Sequence, residues 1–345
     1  MNKEKRRISK PQISEKSVND SRVLEKLLKR FGDSIVENEP LAQHTSFNIG
    51  GPAEFFLNAE TPDQLLDGVR LARELKIEYF ILGGGSNILV GDNGIPGLVI
   101  KNCCCACDVE DDVISAQSGL ALDKLVDISC DNSLSGLEFA AGIWGTVGGA
   151  VCGNAGAFGG SISDVLKSAV VRSNDGAIDC VDKDYFEFQY RHSNIKISSE
   201  LILSAAFKLR KGNKADIAMK IEEHRNKRSV KHPISLPSAG SFFKNFKNPV
   251  VKGKEAAAGW YLEQVGAKDL KVGDAGVFEK HANIFVNYGN ASAGDVLTLA
   301  SELKNRVLDK FNMDLYMEVR PVGDFEQFGE LLDNLEYKNL KRRSL

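Results

Sequence analysis

Val23, Leu24, Leu27 and Leu28 recur at helical spacing and predict a helix from Ser21 to Phe31, stopped by Gly32. From His44 to about Leu209 the pattern changes to short apolar runs that alternate with helical stretches. FFLNA is followed by a helix near Pro62 to Leu75, then by EYFILGGG, GLVIKN and VISAQSG, a helix from Leu120 to Asn132, and the strands AVVRS and LILSAAFKL. KGNK, at Lys211 to Lys214, breaks the pattern before a helix from Ala215 to Arg228 with Ile217 and Ile221 inward. The clearest helix runs from Ser292 to Phe311. Ser292 and Asp295 cap it, and Val296, Leu299, Leu303 and Val307 form its buried stripe. A short strand is expected from Leu315 to Val319. Mixed elements in this order predict an α+β layout. The expected division is a flexible polar tail over 1–20, a two-part unit over 21–212, a second unit over 213–325 and a charged tail over 326–345.

The charge balance, 44 Lys+Arg against 47 Asp+Glu, leaves −3, too little to hold a nucleic acid or an anionic membrane. Any phosphate must therefore be met locally. Glycines and Pro96 break the most apolar segments before the roughly 18 residues a membrane span needs. A cytosolic monomer acting on a small molecule is expected. The run CCCAC, with Cys103, Cys104, Cys105 and Cys107, invites a metal reading, but no second ligand pair follows. In a strand from Lys101 to Val109, Cys104 faces away from the other three, which favours small apolar residues over a metal site.

Two glycine-rich stretches carry the candidate chemistry. ILGGGSNILV runs a strand into Gly83, Gly84, Gly85, Ser86 and Asn87, where bare N–H groups can approach a diphosphate. It is not the dinucleotide fingerprint, since Ile88 holds the last glycine position, and on spacing alone it serves either a phosphate nest or a tight turn. SGLEFAAGIWGTVGGAVCGNAGAFGGSISDV offers Gly142, Gly145, Gly148 and Gly149 for close approach to a flat ligand, with Thr146 and Asn154 as polar anchors. A packed turn region is the alternative.

These stretches, preceded by HTSFNIGGPAEFF and followed in order by YRHS, PSAGSFFKN, AGWYLEQVGAKDLKVGDAGVFEKHANIFVN and MEVRPVG, resemble the UDP-N-acetylenolpyruvoylglucosamine reductases over roughly residues 36 to 323. The resemblance implies a two-part FAD-binding module of the flavin-oxidase (PCMH-type) kind, followed by an α+β substrate-binding domain. It also implies FAD as cofactor, NADPH as co-substrate and reduction of the enolpyruvyl ether of UDP-N-acetylglucosamine to UDP-N-acetylmuramate, a step of peptidoglycan synthesis.

By motif, Ser241 matches the proton donor, and Arg191 and Glu318 match the remaining catalytic pair. Tyr190 and Asn245 are expected at the substrate, with Arg228, Lys231 and Lys280 as candidates for its phosphates. If SFFKN is extended, Ser241, Phe243 and Asn245 share one face and Phe242 and Lys244 the other. Trp144 and Asp274 stand where the family commonly has proline and glycine. No tyrosine lies between Tyr190 and Tyr261, so the subtype lacking a substrate-clamping tyrosine loop is expected. A flavin oxidase of the same fold and a non-catalytic nucleotide-binding module are the competing readings. PSAGS and EVRPVG argue against the first, and the presence of Arg191, Ser241 and Glu318 together argues against the second.

Overall fold

The structure, a computed structural model, describes residues 15–198, 200–246 and 257–335. Residues 1–14 of the first expected tail and 336–345 of the second lie outside them. Within them, helix α1 spans Glu15–Phe31, so regular backbone begins before residue 21. Its apolar stripe is narrower than expected, because Val23 and Leu27 are buried whereas Leu28 is exposed.

The first part is a four-stranded sheet in the order Ile35–Pro40, Pro52–Ala59, Ile95–Asn102, Tyr79–Leu82, antiparallel at the first pair and parallel at the others. Both faces are covered, and alternation assigns the sides: Phe55, Leu57, Leu98 and Ile100 pack with α1 and α2, while Phe56 and Val99 join Leu41, Leu82 and Val322. Helix α2, Pro62–Leu75, has the expected bounds for local reasons. Thr61 and Gln64 form a capping box, Pro62 opens the first turn, and Lys76 closes the helix at φ 56.

The expected strand through the cysteines is interrupted at Cys103–Ala106. The buried Asn102 Oδ1 accepts the Cys104 N–H at 3.1 Å, which turns the chain out of the ladder. Cys104 is fully buried and Cys105 exposed.

The second part is a five-stranded antiparallel sheet, ordered Ile178–Asp182, Leu166–Arg172, Leu201–Lys208, Val113–Gln117, Cys107–Glu110. Helices α3 (Leu122–Asp131) and α4 (Val147–Gly153) pack with it. The short α5, Ile195–Ser198, follows the YRHS motif. Helix α6, Lys214–Lys231, buries Ile217 and Ile221 in this same core, so the packing does not change partner at residue 213. It changes after α6.

The third part joins α7 (Ala258–Gln264), α8 (Ala293–Phe311) and a four-stranded antiparallel sheet ordered Ser238–Ser241, Ile284–Asn287, Ala275–Val277, Lys271–Val272. The α8 stripe of Val296, Leu299, Leu303 and Val307 is fully buried against Phe242, Phe243 and Phe285. Helix α9, Gly329–Leu335, packs on this core through Leu335, so residues 326–335 are not a tail. Several links fix the third part on the first, two of them at strand and helix starts. Arg320–Val322 pairs in parallel with Ile88–Val90, and the Asp92 carboxylate accepts the Ala293 and Gly294 N–H groups at the start of α8.

Candidate active site

Ser241 ends an edge strand whose register against Ile284–Asn287 shifts between Ser238 and Ser241. Gly240, at φ 76, takes the irregularity. The shift breaks the expected alternation, because Phe242 and Phe243 both enter the core, at 1% and 0% exposure. Phe242 stacks on Phe285 at 4.3 Å, and Phe243 meets that ring edge-on. The rings therefore form a rigid floor beneath the strand end, and Ser241 remains half-buried.

The buried side chain of Asn283 holds this segment. Its Oδ1 accepts the Phe243 N–H at 2.9 Å and its Nδ2 donates to the Phe243 carbonyl at 2.7 Å. The expected strand from Leu315 to Val319 is absent as a strand. Met317 makes an isolated bridge to Phe243, and the Glu318 N–H donates to the Phe242 carbonyl at 2.8 Å. Glu318 is thus attached to the residue next to Ser241.

Arg191 arrives from the second part at the tip of a tight turn, at φ 56. Its Nη1 donates to the Gly156 carbonyl at 2.8 Å, and its Nε lies 2.8 Å from Glu318 Oε1. That Nε is buried and makes no aligned hydrogen bond, so the contact with Glu318 is an ion pair of poor hydrogen-bond geometry. Burial pushes the Glu318 carboxyl above its ordinary range, opposed by Arg191, Lys196 and Lys244. Tyr190, partly exposed, is raised by burial and by the nearby Glu318 charge.

The glycine stretches meet each other and this pair. A Cβ on Gly84 would stand 2.7 Å from the Gly145 Cα, and one on Gly83 2.8 Å from Thr146 Oγ1. Ser86 Oγ donates to the Trp144 carbonyl at 2.9 Å. Asn87 closes the circle: its Nδ2 donates to the Glu318 carbonyl at 3.2 Å, and its carbonyl accepts the Arg320 N–H at 3.0 Å. Gly149 and Gly153, one turn apart on α4, face open space, the former within 3.5 Å of Thr146 Oγ1 alone. Partly exposed main chain rich in glycine, opening beside Arg191 and Glu318, suits a flat group carrying a diphosphate.

Comparison with known proteins agrees with this geometry. Residues 53–180 match the FAD binding domain family, and residues 232–322 match the family described as UDP-N-acetylenolpyruvoylglucosamine reductase, C-terminal domain. The UDP-N-acetylenolpyruvoylglucosamine reductase of Clostridium kluyveri (strain NBRC 12016) is 42% identical over 296 residues, 85% of this chain and 94% of that protein. The chain belongs to the UDP-N-acetylenolpyruvoylglucosamine reductase family. The reductase of Clostridium tetani (strain Massachusetts / E88) is 41% identical, over 86% of this chain and 95% of its own length. The crystal structure of UDP-N-acetylenolpyruvylglucosamine reductase from Thermus caldophilus superposes with a TM-score of 0.70 at 31% identity, covering 84% of this chain and 98% of that one. The expected two-part flavin-binding fold is therefore present.

Several of the expected reductase site residues hold the fold instead of facing the cleft. Gly148 donates its N–H to the Ser118 carbonyl and packs on that side chain. Asn154, buried at φ 44, caps α4, donates to the Gln189 carbonyl and accepts from the Ser163 N–H, so it braces the Arg191 turn. Asn245 is exposed and accepts the Ala258 N–H at 3.0 Å, starting α7, with Tyr190 beside it. Gly142, at φ 70, gives its carbonyl to Arg228 Nε at 3.0 Å. Burial and the neighbouring Arg191 lower the Arg228 pKa, which places that guanidinium by the glycine stretch. Lys231 is exposed near His232.

Lys280 lines a cavity of about 410 Å³ with His232, Ser235, Phe278 and Tyr288. There, burial pushes the His232 imidazole down to about 4. Trp144 is exposed at the edge of the glycine stretch. Asp274 is structural, its carboxylate accepting the Asn290 N–H at 2.7 Å.

Sequence reasoning missed Lys196, Lys244 and the two buried asparagines Asn283 and Asn287. The stretch NIFVN carried a signal. A polar residue at each end of a fully buried strand must find partners, and here both amides do.

Proposed function

We propose that the protein reduces the enolpyruvyl ether of UDP-N-acetylglucosamine to UDP-N-acetylmuramate with FAD and NADPH, as a step of peptidoglycan precursor synthesis. One observation carries the reading. The Arg191–Glu318 pair, the end of the Ser241 strand and the GGGSN loop, drawn from four distant segments, are joined into one cluster by an ion pair and hydrogen bonds.

When bound, FAD supplies the hydride it has received from NADPH. Gly83, Gly84, Gly85, Ser86 and Asn87 would hold its diphosphate, with Gly142, Gly145, Thr146 and Gly149 along its flat part. Hydride addition at the terminal carbon of the enol ether builds negative charge on the adjacent carbon and its carboxylate. Arg191 presents a permanent positive charge to that carboxylate. Glu318, raised by burial, is poised to take up a proton when a second carboxylate approaches Arg191, and in that form it donates a hydrogen bond instead of opposing the charge. Ser241 then delivers the proton to the carbon, while the buried Phe242 and Phe243 keep the strand end still and its underside dry. The cavity by Lys280 and His232 takes the nucleotide. With no tyrosine between Tyr190 and Tyr261, we place the chain in the subtype without the tyrosine loop.

The purified protein should be yellow. NADPH should bleach it without air, and the enolpyruvyl nucleotide should restore the colour. Recolouring by oxygen alone would point to an oxidase, and a colourless protein that takes up no flavin would rule out the flavin chemistry altogether.

A further inference from the structure

Arg191 is in an unexpected conformation for its residue type. Gln189 and His192 close a four-residue turn, the Gln189 N–H donating to the His192 carbonyl at 3.0 Å and the His192 N–H to the Gln189 carbonyl at 3.2 Å. Arg191 is the third residue of that turn, at φ 56, where glycine or asparagine is favoured. A long side chain stays in that region only where its surroundings over-determine it.

Three contacts bear on the turn. The Gly156 carbonyl receives the Arg191 guanidinium and the Asn154 amide donates to the Gln189 carbonyl; both lie on the α4 side. The third comes from the far side. Lys196, on α5, donates from Nζ to the Arg191 carbonyl at 2.7 Å. The residue is exposed overall, yet burial pushes its pKa down, with the charges of Cys152, Lys244, Glu318 and Arg320 acting on it. A lysine facing a cleft is ordinarily read as a ligand for substrate, but here one of its donors is committed to the main chain of the arginine.

We propose that Lys196 is a positioning residue, whose ammonium holds the Arg191 carbonyl and so keeps Arg191 in the left-handed conformation that aims its guanidinium at Glu318. The assignment rests on the reductase reading for its kinetic consequence, but not for its structural one. It predicts that Lys196 acts chiefly through Arg191, beyond the direct pull of its charge on the Glu318 carboxyl. Misaimed charge costs turnover more than ground-state binding.

The test has two arms. In single-turnover recolouring by the enolpyruvyl nucleotide, Lys196→Met should slow the reaction about tenfold or more, with the KM for that nucleotide within about twofold. In an Arg191→Ala background the same substitution should change the rate by less than about twofold, because the residue it acts through is gone. An equal loss in both backgrounds, or none in the first, would overturn the proposal. The second arm is the crystal structure of flavin-loaded Lys196→Met. Arg191 should leave the left-handed region and its Nε should move away from Glu318. An arginine that keeps both its φ and its 2.8 Å contact overturns the proposal whatever the enzyme reduces. Failure of the unmodified protein to be recoloured would instead count against the reductase reading.

Discussion

Asn283→Ala is the most informative single perturbation of the fold beneath the site. The amide serves both main-chain polar groups of Phe243, at 2.9 and 2.7 Å, and is itself 2% exposed. It does the work of a neighbouring strand at a place where the strand beyond Ser241 has lost its ladder. Alanine leaves a buried N–H and a buried carbonyl without partners, at about 1–3 kcal/mol each, so the loss should be about 2–6 kcal/mol. The melting temperature of the flavin-loaded protein should fall by about 4 °C or more. Asn290→Ala, an exposed asparagine on the loop after the strand that Asn283 precedes, should stay within about 0.5 kcal/mol. The assay is thermal unfolding followed by flavin release and by circular dichroism, run beside single-turnover recolouring. Because Phe243 is two residues from Ser241, recolouring should slow as well. A melting temperature for Asn283→Ala equal to that of Asn290→Ala would refute the claim that this amide completes the segment.

Ser241→Ala should leave bleaching by NADPH largely intact and slow substrate-driven recolouring by about 10² or more; equal slowing of both steps would mean that Ser241 shapes the flavin site instead. Gly84→Ala forces a methyl to within 2.7 Å of the Gly145 Cα, main chain on main chain, which costs about 1–3 kcal/mol of overpacking. Flavin titration of the apoprotein should show affinity weakened at least about tenfold, and unchanged affinity would remove this loop from the cofactor site. His232 has a folded pKa depressed from 6.5 to about 4, so the unfolded chain binds the extra proton between those values. Its contribution to stability is therefore full above pH 6.5 and lost as pH falls toward about 4. Urea unfolding across that window should show a shallower decline for His232→Gln than for the unmodified chain, and parallel curves would contradict the burial of this imidazole.

What could be read in advance divides by how local its cause is. Helices α2 and α8 were legible to the residue or nearly so, because Thr61 with Gln64 and Ser292 with Asp295 write their own starts, and Lys76 and Asn312 end them in left-handed conformation. The strands of the first sheet were legible as short apolar runs, but the covering of both its faces was not read from them. Elements decided by distant partners were not. The interruption at Cys103 depends on Asn102, a side chain that forms no part of the cysteine pattern. Helix α6 has one amphipathic face, and nothing in that face says it packs on the core before it and not the one after. Helix α9 sits in a charged stretch whose few leucines find the third core only once α8 is in place.

The same division explains why Ser241, Arg191 and Glu318 could be proposed from motifs while their geometry could not. Each hangs from backbone that breaks a local rule: a register shift at Gly240, an arginine in a glycine-favoured turn position, and a glutamate in an expected strand that makes only one bridge. Regular secondary structure repeats its geometry and can place a side chain only where the repeat falls. Bringing the end of the Ser241 strand, the Arg191 guanidinium and the Glu318 segment together from three parts of the chain needs departures from the repeat, each held by its own anchor. Asn283 holds the Ser241 segment, Asn87 the Glu318 segment and Gly156 the Arg191 side chain. Such anchors contribute modestly to overall stability when partly exposed, about 0.5–1.5 kcal/mol each, but they set ångström-scale positions on which rate depends far more steeply. The partly exposed anchors, which matter little to stability, are therefore among the residues to which the chemistry at this site is most sensitive.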